Sequence, residues 1–300
     1  MPTLTGDLSR LLKINDRDRI ALSVWWRSIF PHTGFREHQR VPLWHPDVPF
    51  VLITSQRAGS TMGATWFFHH AGLLEKARAY DPFAHRYEQD IFLKANGYFA
   101  GLKRAVREKP AVKLVRDPGA RAFSSYLALH DARATADPRD HRTSIRRKIA
   151  QQANKPFTAD MRLSFSEFLA WAAQVDHRRI DGHEARQKNL YEDSLPRGIE
   201  HIIKLEGAEA DIPGVEKALG LVPSTPEQII DLGTSQHYVK KIDAEAPTID
   251  EIMNEGVTMP RPGRQPKITT QTIAAYPEAH RDLILAFGPD YEAYGYDAHK

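Results

Sequence analysis

The feature that most constrains the fold of this chain is a short apolar run that ends in a turn of small residues. Residues 49–54 read PFVLIT, are rich in β-branched side chains, and are followed by SQRAGS. A continuous apolar run of this length, bounded by turn residues, predicts a strand buried on both faces of a parallel sheet. The apolar residues beyond the turn recur at helical spacing, which predicts that a helix follows.

The same strand-to-helix pattern occurs again further along the chain. Residues 111–115, AVKLV, predict a second buried strand, after which Asp117 is placed to cap a helix that starts at Pro118. Residues 199–205, IEHIIKL, predict another buried strand. Strands that alternate with helices indicate an α/β protein with a central, mostly parallel sheet flanked by helices, and with ligands at the carboxyl ends of its strands.

Length and composition fit one ordinary α/β domain. At 300 residues and 41% hydrophobic content, we expect a single domain over residues 1–300 that includes an N-terminal helical extension at 1–45. The absence of cysteine excludes disulfides, thiolate nucleophiles and zinc–thiolate sites. Charged residues interrupt the apolar stretches near the N-terminus, and no apolar run could span a bilayer, so we expect a cytoplasmic protein without a membrane span.

The net charge of +3 is only mildly basic and does not predict nucleic-acid binding. Lys and Arg are instead concentrated at 131–160, which we interpret as a basic insertion containing a short helix. Two hypotheses remain open for it: a solvated face, or a lid that binds an anionic saccharide. No sequence feature predicts a particular oligomeric state.

The turn after the first predicted strand has the composition of an anion site. A helix N-terminus preceded by small residues brings backbone N–H groups together, and Arg57 adds a permanent charge. Gly59 permits close backbone approach, and two hydroxyls can donate hydrogen bonds. The residues predicted to bind the anion are Arg57, Ala58, Gly59, Ser60, Thr61 and Met62. A simple strand–turn–helix packing role is the alternative, and the turn lacks the lysine of a Walker A loop.

The second motif lies at 113–126, KLVRDPGARAFSSY, where an arginine ends a strand and a serine follows two helical turns later. Arg116 can bind a phosphate through two parallel hydrogen bonds while Ser124 donates to another oxygen of that phosphate. Arg121, Ser124 and Ser125 share one helical face. The alternative interpretation is an arginine paired with Asp117.

With both motifs in place, the sequence resembles the PAPS-dependent sulfotransferase family, where PAPS is 3'-phosphoadenosine-5'-phosphosulfate. Residues 55–61 are similar to the family's 5'-phosphosulfate loop, and 114–126 to its 3'-phosphate motif. The segment 202–206, IIKLE, is like the family's late strand. The RPGR sequence at 261–264 resembles its C-terminal basic loop, which implies that Arg261, Gly263 and Arg264 cover the nucleotide.

The resemblance runs from about residue 50 to the C-terminus and implies a P-loop-like sulfotransferase fold. Residues 181–187, DGHEARQ, are reminiscent of the Asp-x-His-x-x-Pro-Gln segment of carbohydrate-type, bacterial members, although Ala185 and Arg186 depart from the proline pattern. The implied donor is PAPS, the implied acceptor is a carbohydrate hydroxyl, and no metal is expected.

The resemblance implies in-line attack of the acceptor hydroxyl on sulfur, with Arg57 stabilising the leaving group. A base is then needed, and His85, Glu88 and His183 are the three candidates. Histidine suits the task because its ordinary pKa lies near neutrality, whereas Glu88 needs burial to raise its pKa. His85 is preferred, because it lies in a polar segment just after the predicted donor-binding helix.

Two other functions remain open. A P-loop nucleotide kinase or hydrolase would share the strand–loop–helix anion site. A non-catalytic polyanion-binding protein would use Arg57 and Arg116 only to hold sulfate or phosphate groups.

Overall fold

A computed structural model describes residues 39–130, 140–158, 160–233, 247–256 and 266–299. Three strands, β1 (Val51–Ile53), β2 (Ala111–Val115) and β3 (His201–Lys204), form a parallel sheet in the order β1-β2-β3. Val51 pairs with Ala111, and Val112 pairs with His201. Leu43 forms an isolated antiparallel bridge to Leu52. The predicted strands and their parallel arrangement are confirmed, within a sheet that is small and open.

Helices flank this sheet. Those of the described residues are α1 (Ser60–His70), α2 (Leu74–Tyr80), α3 (Ala84–Tyr87), α4 (Tyr98–Glu108), α5 (Pro118–Leu129), α6 (His141–Gln152), α7 (Phe165–Ala172), α8 (Ala208–Ala218), α9 (Pro226–Gly233), α10 (Thr270–Ile273) and α11 (Pro277–Tyr294). Short π-helical turns cover Glu88–Phe92 and Glu251–Glu255, and 3-10 turns cover Glu192–Ser194 and Leu205–Gly207.

Two apolar cores hold these elements together. The first joins the strands to helices such as α1 and α4 through residues including Phe50, Trp66 and Leu102. The second packs α5, α6, α7 and α11 against one another through residues such as Tyr126 and Phe168. The three strands belong to the first core, and α5, which follows β2, belongs to the second.

Several predictions concern residues outside this description. Of the N-terminal extension only 39–45 is described, so the helical prediction for it lies outside the described residues. Part of the basic insertion, 131–139, is also outside. Among the parts of the chain that are described, no helix is both long enough and apolar enough to cross a bilayer.

The described part of the insertion contains the predicted short helix, α6. Arg147 and Lys148 are exposed on it, but Arg146 is 1% exposed and donates to the backbone carbonyl of Met161 at 3.3 Å. The hypothesis of a uniformly solvated basic face is therefore wrong at Arg146. The physical reason is that its long side chain packs inward between α6 and the segment before α7.

Candidate functional site

The first junction, which we define as residues 54–60 between β1 and α1, is a tight turn. Arg57 and Gly59 adopt left-handed backbone conformations, with φ of 64° and 79°. A Cβ on Gly59 would lie 2.9 Å from Leu205 Cδ1, so this position requires glycine both for its conformation and for its packing. Ala58 is fully buried beneath the turn.

The start of α1 is open. Gly63 N–H donates to the Gly59 carbonyl at 2.9 Å, so the N–H groups of Ser60, Thr61 and Met62 precede that bond in the helix. Gly59 occupies the N-cap position and has no side chain that could cap this helix end. Free N–H groups at the positive end of a helix favour an anion. The structure therefore brings the predicted anion-binding residues together in one turn.

His85 approaches this helix end. Its Nε2 atom lies 3.3 Å from Ser60 Oγ and 3.3 Å from Thr61 Oγ1, while its Nδ1 atom lies 2.6 Å from Glu88 Oε2. We assign the proton to Nδ1, which donates to the Glu88 carboxylate. The Arg40 Nη2 atom also lies 2.8 Å from this Nδ1, but both of its hydrogens go to Glu88 Oε1 and Oε2. The Nε2 lone pair then faces the start of α1, so His85 can accept a proton there.

Arg40 completes the cluster. Its Nη2 atom donates to Glu88 Oε1 at 2.6 Å and Oε2 at 2.5 Å, and its Nε donates to Thr54 Oγ1 at 3.0 Å. The same Nη2 atom lies 2.8 Å from His85 Nδ1. Glu88 therefore accepts hydrogen bonds from Arg40 and from His85 and fixes the position of both side chains. Sequence analysis missed Arg40 because its partners are 45 and 48 residues away along the chain.

Burial and charge set the protonation of this cluster. Burial, then the charge of Arg40, lowers the pKa of His85, and Glu88 only partly opposes this. Burial alone would raise the pKa of Glu88, but Arg40 and His85 outweigh it, so the pKa falls below its ordinary value. His85 is then neutral and Glu88 is ionised near pH 7. This arrangement suits His85 as the base and Glu88 as the group that orients it.

The second junction, residues 116–118 between β2 and α5, is closed by carboxylates. Asp117 Oδ1 accepts from Ala120 N at 2.7 Å and Thr270 N at 3.0 Å, and Oδ2 accepts from Thr270 Oγ1 at 2.7 Å. The N–H of Asp117 donates to Glu206 at 2.8 Å. The predicted N-cap at Asp117 and first residue at Pro118 are confirmed.

Arg116 connects the two junctions. Its Nη1 atom donates to the Arg57 carbonyl at 3.3 Å. Its backbone is held by the Gln187 side chain, which accepts from Arg116 N at 3.0 Å and donates to Arg116 O at 2.7 Å. Arg57 and Arg116 thus lie at one end of the sheet, both partly buried. Ser124 is half-buried on α5, two turns further on.

Arg121 and Ser125 hold the segment 181–187 against the first junction. Arg121 is buried and donates to the carbonyls of Gln56 at 2.9 Å, Ala185 at 2.5 Å and Gly182 at 3.0 Å. Ser125 Oγ donates to the His183 carbonyl at 2.5 Å. Arg121 and Ser125, two members of the predicted helical face, therefore hold the backbone of neighbouring segments. Ser124 is left with a hydroxyl that is more accessible than that of Ser125.

The segment 181–187 also carries charged groups. His183 Nδ1 lies 2.6 Å from Asp181 Oδ1, and the His183 side chain is 39% exposed. The His141 ring lies 6.0 Å from the His183 ring, measured between centroids. Ligand atoms of His141, Asp181 and His183 all lie within 4.8 Å of one another. These three could hold a metal ion.

Glu184 is fully buried beside these groups. Burial, then the charge of Asp181, raises the pKa of Glu184 to about 8, with Arg57 opposing the shift. The carboxyl group is then mostly protonated at neutral pH.

Lys113 was not predicted as part of the site. Lys113 is fully buried in β2. Its Nζ atom donates to Ser55 Oγ at 2.9 Å, to the Gln187 carbonyl at 2.8 Å and to Glu192 Oε1 at 2.6 Å. Burial lowers its pKa, and Glu192 opposes the shift. A lone lysine within AVKLV was the available sequence signal, since a buried charge requires partners.

The predicted residues Arg261, Gly263 and Arg264 lie outside the described residues. The structure therefore brings together Arg57 to Met62, Arg116 and His85 with Glu88, and places His183 on the adjoining segment. Comparisons with family models, with curated proteins and with solved structures found no match to this chain.

Proposed function

We propose that this protein is a sulfotransferase that moves a sulfuryl group from PAPS to an acceptor hydroxyl. The observation that carries the proposal is the position of His85 Nε2, 3.3 Å from both hydroxyls at the open start of α1. An anion site and a neutral base that face each other are what transfer of an anionic group to a hydroxyl requires.

In the proposed donor complex, the 5'-phosphosulfate lies against the N–H groups of Ser60, Thr61 and Met62, with Arg57 nearby. Arg116 and Ser124 bind the 3'-phosphate, which distinguishes this donor from ATP. The contact between Arg116 and the Arg57 carbonyl supports two cationic groups acting on one nucleotide. The P-loop-like sulfotransferase fold is part of the same proposal, supported by the parallel sheet and the open turn after β1.

The reaction then proceeds in one displacement. The acceptor oxygen attacks sulfur and forms the new O–S bond, while His85 Nε2 takes the hydroxyl proton. The bond between sulfur and the bridging oxygen breaks, and its electron pair stays on the 5'-phosphate, which gives adenosine 3',5'-bisphosphate and a sulfate ester. Arg57 and the helix N–H groups stabilise the charge that grows on the bridging oxygen. Glu88 stabilises the imidazolium that His85 becomes.

A carbohydrate hydroxyl is the proposed acceptor. The support is the resemblance of 181–187 to carbohydrate-type members, together with the hydrogen bonds from Arg121 that hold this segment beside the first junction. This segment is partly exposed, so in this proposal it borders the acceptor.

The test is incubation of the full-length protein with donor carrying labelled sulfate and a panel of glycans, phenols and small alcohols, followed by mass spectrometry. Label should appear on a saccharide with wild type and not with His85→Gln. Transfer to no acceptor, with adenosine 3',5'-bisphosphate still bound, would instead favour the polyanion-binding alternative. Phosphate transfer from ATP with Mg²⁺ would favour the kinase alternative.

A further inference from the structure

Two imidazoles and one carboxylate meet at the edge of the candidate site. His141 is the first residue of α6, whereas Asp181 and His183 belong to the turn before Gln187. The three ligand atoms lie within 4.8 Å of one another although the two segments are far apart in sequence. Their side chains are 46%, 25% and 39% exposed, so a dissolved ion can reach them.

The donor set favours a particular class of ion. Imidazole nitrogen suits zinc and neighbouring transition metals, whereas Mg²⁺ and Ca²⁺ take oxygen ligands. Three protein ligands with an open fourth position are typical of reactive zinc centres. Ligand atoms around a tetrahedral Zn²⁺ lie about 3.3 Å apart, given Zn–N bonds of about 2.0–2.1 Å. The three atoms, which lie within 4.8 Å of one another, would have to approach to that spacing when the ion binds.

Asp140, an acidic residue next to His141, is not part of this ligand set. Asp140 lies 3.5 Å from His141 Nδ1, but it accepts two hydrogen bonds from the Arg142 guanidinium, at 2.9 and 2.7 Å. Its charge is therefore already matched by a cation. Asp181 Oδ1 accepts from the His183 backbone N–H at 2.9 Å and lies 2.6 Å from His183 Nδ1, which holds its carboxylate beside that ring.

We propose that His141, Asp181 and His183 bind one divalent transition-metal ion of the Zn²⁺ class, and that this ion fastens α6 to the 181–183 turn. His141 is separated from the 181–183 turn by residues 142–180 along the chain, so a shared ion cross-links the two segments. The proposed sulfuryl transfer uses no step through this ion, and the proposal stands or fails independently of that activity.

The test is titration of full-length, chelator-treated protein with ZnCl₂ in competition with a chromophoric chelator, without nucleotide donor. Wild type should bind one Zn²⁺ per chain, and His141→Ala and His183→Ala should each weaken binding by about tenfold or more. His299, an exposed histidine outside the set, provides the control, since His299→Ala should bind as wild type does.

Two matched carboxylate variants provide a second test of the metal site. Asp181→Asn should weaken Zn²⁺ binding, whereas Asp140→Asn, which keeps a good cap at the start of α6, should not. Thermal melts of each variant without metal establish that it folds. The proposal is overturned if wild type shows no saturable binding, if the His141→Ala and wild-type affinities agree, or if Mg²⁺ displaces Zn²⁺ at equal concentration.

Discussion

The two strand-to-helix junctions occupy equivalent positions at the carboxyl end of the same sheet, yet they end in opposite ways. At the first, left-handed Arg57 and Gly59 lead into a helix end whose N-cap residue, Gly59, has no side chain to cap it. At the second, Asp117 caps α5, and Glu206 accepts from the Asp117 backbone. A carboxylate already occupies the second helix end, so only the first can receive an anion through its backbone.

Two junctions of the same topology are therefore suited to two different tasks. The first junction offers N–H groups and a neutral base, which suits a reacting anionic group. The second keeps its helix end closed and offers the Arg116 side chain, which suits a phosphate that is bound but does not react.

The largest expected effect comes from replacing His85, the proposed general base. His85→Gln should lower kcat/KM for sulfuryl transfer by about 10²–10⁴, because proton removal from the acceptor is lost. Affinity for adenosine 3',5'-bisphosphate should stay within a factor of about two, by titration calorimetry. The exposed His69→Gln variant is the control. A parallel loss of nucleotide affinity would show that His85 binds the donor and is not the base.

Lys113 connects the two junctions, because it donates to Ser55 in the first and to the carbonyl of Gln187 beside the second. Lys113→Met leaves the buried Glu192 charge without its cation, so the free energy of unfolding should fall by about 3–5 kcal/mol in urea titrations. Lys76→Met, exposed on α2, should change it by less than about 0.5 kcal/mol. Equal stability of the two variants would mean that this network does not join the junctions.

A matched pair of variants tests the contrast itself. Gly59→Ala places a Cβ 2.9 Å from Leu205 at a φ of 79°, and Asp117→Ala removes a helix cap. Each should cost about 1–2 kcal/mol of stability. Only Gly59→Ala should also weaken binding of AMP, measured by calorimetry, because its change lies in the anion turn. If Asp117→Ala weakens AMP binding equally, the two junctions do not differ as described.

The smallest expected effect is on pH dependence. Since burial and Arg40 lower the pKa of His85, the acid limb of kcat/KM should have its midpoint below 6.5, with full activity above it where His85 is neutral. Glu88→Gln removes a charge that raises this pKa, so the limb should move to still lower pH. Rate profiles from pH 4.5 to 8 measure it, with pH-independent folding checked by circular dichroism. A midpoint that moves to higher pH in Glu88→Gln would contradict the described arrangement of Arg40, His85 and Glu88.

Strand positions and the anion turn could be predicted from the sequence because their signals are local. An apolar run marks β1, and Asp117 followed by Pro118 marks the start of α5. Arg40 and Lys113 escaped prediction as site residues because their roles depend on partners far away in sequence. The ion pair of Arg40 with Glu88 also explains why burial does not raise the pKa of Glu88: a nearby guanidinium outweighs desolvation.

The most direct test of the central claim is calorimetric titration, without metal, of adenosine 3',5'-bisphosphate into wild type and Arg116→Ala. The account predicts that wild type binds this nucleotide more tightly than ATP with Mg²⁺, and that Arg116→Ala loses about ten- to a hundredfold of that affinity while the exposed Arg104→Ala loses none. Tighter binding of ATP with Mg²⁺, or equal affinity in Arg116→Ala and wild type, would contradict two cationic groups acting on one doubly phosphorylated adenosine.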